Sequence, residues 1–374
     1  MKILHIISSG GMYGAEAVIL NMSRMLREGG HTSMLGVFDN ASNPNLQLYD
    51  SAVKNGIAAH LIPCSGQIDR RVVGKIRELA RETQADVVHA HGYKADLYVY
   101  LALKASFVPT ISTCHNWLKD GFLVNVYGAL DRWVLRSFSA VVAVSNEVRQ
   151  TLLHAGVKTA KIRLIPNGID LRPFDGAAPT LRTLLVDSST LLVGIVGRLS
   201  KEKGVDLFLR AAARVLSQLP NVMFVVVGDG PERETLETLI DELNIRDKVS
   251  MLGRREDMAE IYASMDVMIS SSHQEGLPMT ILEGMASGRA WIATAVGDVP
   301  TIVVNDQTGV LIPAGNIEIL ATELVALLGD QGRRKRLGDA GKLLVEREFS
   351  AQTMTNRYLG VYTEAIEDKQ MSHA

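Results

Sequence analysis

A rhythm constrains this chain more than any single residue does. Short apolar, β-branched runs alternate with helix-patterned segments, pause once, and then start again. In the first series the runs are "ILHIIS", "SMLGVF", "DVVHA", "PTIST" and "AVVAVS", with a helical pattern from Ala15 to Glu28 closed by Gly29-Gly30. In the second they are "LLVGIVGRLS", "VMFVVVGDG", "KVSMLG", "DVMISSS" and "AWIATAVG". Strands alternating with helices in this way build mostly parallel sheets covered on both faces. The pause, "LIPNGIDLRPFDGAAPT", crowds Pro166, Asn167, Gly168, Pro173, Gly176 and Pro179 together and reads as a linker. The expectation is an α/β protein of two domains, 1–168 and 169–351. A last helix, 352–374, carries Tyr358, Val361 and Tyr362 on one side and is expected to pack back onto the first domain.

Composition narrows the function. The chain has 374 residues, enough for two domains with a site in the cleft between them. With 39 basic and 41 acidic residues, no global field recruits nucleic acid or an acidic membrane, so any anion site is local. Cys64 and Cys114 show neither pairing nor metal-ligand spacing, which suits a reducing cytoplasm. The opening "MKILHIISSGG" holds an apolar run too short for a signal peptide, and no stretch reaches the ~18 apolar residues of a spanning helix. Peripheral contact at the inner face of a membrane stays open. The segment "NWLKDGFLVNVYGALDRWVLRSF" mixes aromatic and basic residues and reads as a core-facing amphipathic helix, with a membrane-resting helix as the alternative.

Three stretches carry chemistry. "SSGGMYGAEAV" sets Gly10, Gly11 and Gly14 between the first strand and first helix, where backbone amides attract anionic groups; it lacks the dinucleotide fingerprint. "GIVGRLSKEKGVD" places Arg198 after a strand and Lys203 before Gly204 at a helix start, two cations and a positive helix end suited to a diphosphate. "SSHQEGLPMTILEGMASGRAW" sets Glu275 in a loop and Glu283 on the following helix, with Pro278 at the first helical position and Gly288 just past the end.

Together with "HAHGYKADL", "VAVSNEV", "IPNGID", "VVVGDGPER" and "ATAVGDVP", these stretches closely resemble the retaining glycosyltransferases of family 4 over nearly the whole chain. The resemblance implies the GT-B fold, two Rossmann-like parallel-sheet domains facing each other across a cleft, the first for the acceptor and the second for a nucleotide sugar. It implies transfer of a hexose or N-acetylhexosamine to a glycan, a lipid-linked sugar or a small molecule. Arg198 and Lys203 would hold the diphosphate, Glu275 the donor-sugar hydroxyls and Glu283 the ribose, with the amides of Gly276, Leu277, Met279 and Thr280 near phosphate and sugar. Gly11 and Gly14 would approach the donor, and His91, after the strand "DVVHA", would stand near the anomeric centre. His89 reads as packed; His115 and Asn116 are weaker acceptor-side candidates, and His273, close before Glu275, reads equally as a site residue or an ordinary loop residue. The family usually needs no metal or other cofactor, and the chain has no Asp-x-Asp motif. A uridine diphosphate sugar is favoured over a guanosine one. The alternatives are an epimerase of the same fold and a non-catalytic nucleotide-sugar-binding module. The chain departs from the family pattern at Arg289, where proline is frequent, at Asp298, where a second glycine is common, and at Thr301, where glutamate often follows "VP"; these changes are expected to border the donor site.

Overall fold

The computed structural model describes residues 1–12, 14–41, 44–66, 69–115, 133–187 and 189–371. The chain divides into two units, Met1–Gly168 with Ala351–Ala374, and Ile169–Ser350.

The first unit holds a seven-stranded sheet in the order β3-β2-β1-β4-β5-β6-β7. Its strands are β1 (Lys2–Ile7), β2 (Thr32–Asn40), β3 (Ala58–Cys64), β4 (Val87–His91), β5 (Thr110–Cys114), β6 (Ala140–Ala143) and β7 (Ile162–Leu164). All pairings are parallel, with Ile7 opposite His91 where β1 meets β4. The apolar runs of β1, β4 and β6 are buried because helices cover both faces. On one face lies the helix Arg70–Glu82, whose Val72, Ile76, Leu79 and Ala80 recur at helical spacing and are buried. Asp69 caps it by accepting from the Arg71 amide. On the other face the helix Gly14–Glu28 packs against the long C-terminal helix Ala351–Met371, whose Tyr358, Val361 and Tyr362 are buried.

The second unit holds a six-stranded parallel sheet in the order β10-β9-β8-β11-β12-β13. These strands are β8 (Leu191–Val196), β9 (Val222–Val227), β10 (Val249–Gly253), β11 (Val267–Ser270), β12 (Ala290–Thr294) and β13 (Val310–Ile312). Val193, Ile195, Phe224 and Val226 form one core with Phe208 and Leu324; Leu192, Val225, Met268 and Ala293 form the other with Tyr262, Leu282 and Trp291. The unit closes on itself, since the Ile169 amide donates to the Phe349 carbonyl at 2.9 Å and Ile169 bridges Ser350.

Candidate active site

Each sheet has one place where the chain leaves in opposite directions from adjacent strands. In the first it is β1 beside β4, in the second β8 beside β11. Ligands of open parallel sheets bind beyond the strand ends at such points, because diverging helices leave a crevice there.

In the second unit that point gathers Arg198, Lys203, Glu275 and Glu283. Arg198 follows β8 and is exposed; the Ser200 amide donates to its carbonyl at 3.0 Å, while its guanidinium makes no hydrogen bond or ion pair among the described residues. Lys203 ends a short turn, and Gly204, at φ +59°, turns the chain into the helix Val205–Leu216. Only glycine fits there, because a Cβ would lie 2.2 Å from the Ser271 carbonyl oxygen. Ser271 Oγ donates to the Gly204 carbonyl at 2.7 Å and the His273 amide to the Glu202 carbonyl at 2.8 Å, so the loops after β8 and β11 are tied together. Lys203 Nζ therefore reaches both oxygens of Glu275, at 2.7 and 2.9 Å, and Ser272 Oγ donates to Glu275 Oε1 at 2.7 Å. The two residues expected to grip different parts of one ligand thus hold each other as well.

Beyond Glu275 the chain enters the helix Met279–Ala286. Pro278 is its cap and not its first residue, since extended backbone at ψ 119° precedes the first turn. The amides of Gly276, Leu277, Met279 and Thr280 have no intramolecular partner among the described residues, which leaves a positive helix start open toward a ligand. Glu283 lies on this helix, and burial raises its carboxyl above the ordinary range while the Tyr262 hydroxyl, 3.0 Å from Oε2, opposes the shift. Asp298 and Thr301 do border the site: the Asp298 amide donates to the Gly276 carbonyl at 3.0 Å, and Thr301 Oγ1 to the Asp298 carbonyl at 2.6 Å. Arg289 does not. It stands at the opening end of β12, where its guanidinium donates to the carbonyls of Ser287 and Met265 at 3.0 and 3.1 Å, and the starts of parallel strands lie at the edge opposite their ligand-binding ends.

In the first unit the switch point holds Gly11, Gly14 and His91. Gly14 opens the first helix, and the Gly11 amide lies 3.3 Å from Ser9 Oγ. Ser9 Oγ also approaches Glu16 Oε1 at 2.9 Å, so a buried carboxylate already occupies the first turn. His91 ends β4 rather than following it and is buried with His5 and His89, while His115 beside it is partly buried. His5 Nδ1 and His91 Nε2 are 3.1 Å apart, and His91 Nδ1 and His115 Nε2 3.4 Å. His89 is packed: Nδ1 meets the Tyr362 hydroxyl at 2.8 Å and Nε2 meets Thr113 Oγ1 at 2.7 Å, which ties the sheet to the C-terminal helix. Burial lowers all four imidazoles, His5 to about 3, His115 to about 4, and His89 and His91 well below the usual value, where the neighbouring imidazoles add to the effect. Ligand atoms of His5, His89 and His91 lie within 4.8 Å of one another, the nearest approach to metal-ligand spacing among the described residues. Both His89 nitrogens are already engaged, so a cation there would displace a hydrogen bond.

Asn116 and the aromatic-basic segment through Arg132 lie outside the described residues. Of that segment's tail, Val134 is buried, Arg136 donates to the Ala155 carbonyl, and Trp133 meets Tyr100 edge-on at 5.2 Å. Among the described residues no helix is long and apolar enough to cross a membrane. Sequence reasoning missed Tyr262, Ser272 and His5. Only His5 left a signal, since it pairs with His89 and lies on the strand next to His91.

Comparison with known proteins agrees with this architecture. The family model described as Glycosyltransferase Family 4 matches residues 12–172, and that described as Glycosyl transferases group 1 matches residues 182–344. The chain is 31% identical to D-inositol 3-phosphate glycosyltransferase of Xylanimonas cellulosilytica over 81% of this chain and 78% of that protein. It is 26% identical to N-acetyl-alpha-D-glucosaminyl L-malate synthase of Bacillus anthracis over 97% of this chain and 95% of that one. Anabaena Alr3699/HepE, solved in complex with UDP, shares the fold with a TM-score of 0.85 at 22% identity, covering 97% of this chain and 100% of that one. Two parallel sheets, each with its switch point, and relatives matched along both units lead to one conclusion: the chain belongs to the family 4 glycosyltransferases of GT-B fold.

Proposed function

We propose that this transferase moves a hexose or N-acetylhexosamine, with retention of anomeric configuration, from a nucleoside diphosphate sugar to a glycan, lipid-linked sugar or small-molecule acceptor. The observation that carries the reading is the second sheet's switch point, where two cations, a helix start with free amides and two carboxylates converge. The second unit serves the donor and the first the acceptor. The bond from the anomeric carbon to the diphosphate oxygen breaks, its electron pair leaving with the diphosphate, while the acceptor oxygen bonds to the same face of the sugar. The acceptor proton passes to the departing phosphate. Arg198 and Lys203 stabilise the charge that develops on the leaving group. Glu275 binds sugar hydroxyls, Glu283 binds the ribose, and Gly276, Leu277, Met279 and Thr280 offer amides between them. Gly11, Gly14 and His91 keep the donor-side roles that the family resemblance gives them. A uridine donor is favoured, supported by Anabaena Alr3699/HepE, solved also in complex with UDP-glucose. Neither an epimerase nor a binding module gains support, since the relatives described above are named as a synthase and a glycosyltransferase.

A thermal-shift panel of uridine and guanosine diphosphate sugars tests the donor, because a ligand of the folded state raises its apparent stability. Product configuration by NMR tests the stereochemistry. A uridine diphosphate sugar should stabilise the protein and an α-linked donor should give an α-linked product; a β-linked product would overturn retention.

A further inference from the structure

We infer that Tyr262 is a positioning residue for the donor's ribose: its hydroxyl fixes one oxygen of Glu283 so that the other faces the ribose hydroxyls. This rests on the reading of Glu283 given above. Tyr262 belongs to the helix Met258–Ser264, which packs against the helix Met279–Ala286 carrying Glu283. The ring is fully buried in the cluster that includes Ile281, Leu282 and Met285, with the Phe174 ring 6.2 Å away. A buried phenol needs a partner for its O–H, and this one reaches Glu283 Oε2 at 3.0 Å.

The backbone beneath Glu283 is fixed as well. At the next residue, Gly284, a Cβ would lie 2.4 Å from Trp291 Cζ2, so the helix rests directly on the indole. With backbone and Oε2 both held, Oε1 is the oxygen with no partner among the described residues. A carboxylate so aimed can accept from two neighbouring hydroxyls, the pattern a ribose offers. Burial and the Glu283 charge push the Tyr262 hydroxyl well above its ordinary pKa, so it stays a donor and favours the ionised carboxylate.

A merely structural hydroxyl would stabilise the core without distinguishing ribose from deoxyribose. Calorimetry decides between them, using UDP and 2′-deoxy-UDP, or the guanosine pair if wild type binds that better, on wild type, Tyr262→Phe, Glu283→Gln and the double variant, each shown folded by its melting curve. Wild type should prefer the ribonucleotide. Tyr262→Phe should lose on the order of tenfold of that preference, the scale of one hydrogen bond to a charged group, while deoxyribonucleotide affinity holds. The double variant should lose no more preference than Glu283→Gln alone, because Tyr262 acts through that carboxylate. If Tyr262→Phe keeps the preference while Glu283→Gln abolishes it, the inference is overturned and the role of Glu283 stands. A preference that survives Glu283→Gln, or is missing in wild type, overturns both.

Discussion

Lys203 and Glu275 neutralise each other, and that contact changes what a substitution at either does. A diphosphate arriving at Lys203 competes with a carboxylate whose side chain is 9% exposed, and solvent screens such a pair poorly. Glu275→Gln should therefore strengthen nucleoside diphosphate binding severalfold, by leaving the ammonium uncompensated. With Glu275 in the proposed role, the same change should lower turnover on the order of a hundredfold, because the sugar would lose a charged acceptor. Calorimetry beside a turnover assay checks the pair of signs; weaker diphosphate binding would refute the competition. The placement of Arg198, Lys203 and Glu275 in loops and of Glu283 on a helix was legible because glycine, proline and charge punctuate these segments; their ligand roles came from the family resemblance. Tyr262 and Ser272 were not legible. Both act on side chains brought near by a turn or by a neighbouring helix, and "IYASM" reads only as an amphipathic stretch.

Among elements, the strands that sequence reading passed over are β3, β7 and β13, and each is a sheet edge. An edge strand pairs on one side only, so its sequence can be short or polar: β7 and β13 have three residues each, and β3 carries Pro63, which a central strand would exclude. The central strands, buried on both faces, were the runs that read clearly. The helix bearing Glu283 depends on a fit of a different kind, glycine against indole. Gly284→Ala should cost about 1–3 kcal/mol, as overpacking does. Trp291→Leu in the same chain should recover part of that loss, since Trp291 Nε1 has no hydrogen-bond partner to forfeit among the described residues. Urea unfolding of the two single variants and the double variant measures the coupling; simple additivity would mean that the helix does not rest on the ring.

For the molecule as a whole, the cluster of His5, His89, His91 and the partly buried His115 sets an acid limit. Their imidazoles are lowered in the folded state while the unfolded chain titrates near the ordinary value of about 6.5, so the unfolded chain binds protons first as the pH falls. The stability they preserve is complete above that value and is lost on acidification toward the folded pKa values, about 3 for His5 and about 4 for His115. Each histidine should contribute a slope of about 1.4 kcal/mol per pH unit in that window. Urea unfolding at pH 7.5 and 5.5 should show the drop, and a flat profile would contradict it.

The bridge between Ile169 and Ser350 has a consequence for synthesis on the ribosome. It brings together the two ends of the second unit, which is thus an uninterrupted cassette inserted into the first. Translation at about 5–20 residues per second leaves the earlier unit waiting on the order of ten seconds or more for the helix Ala351–Met371. Until then His89 lacks Tyr362 and Thr113 lacks Tyr358. The later-made unit is thus the first able to finish. A fragment of residues 169–350 should fold cooperatively alone, as circular dichroism during heating would show. A fragment of residues 1–168 should aggregate or stay partly open until a peptide of residues 351–371 is supplied, making the last segment of the chain a late-arriving keystone for the first.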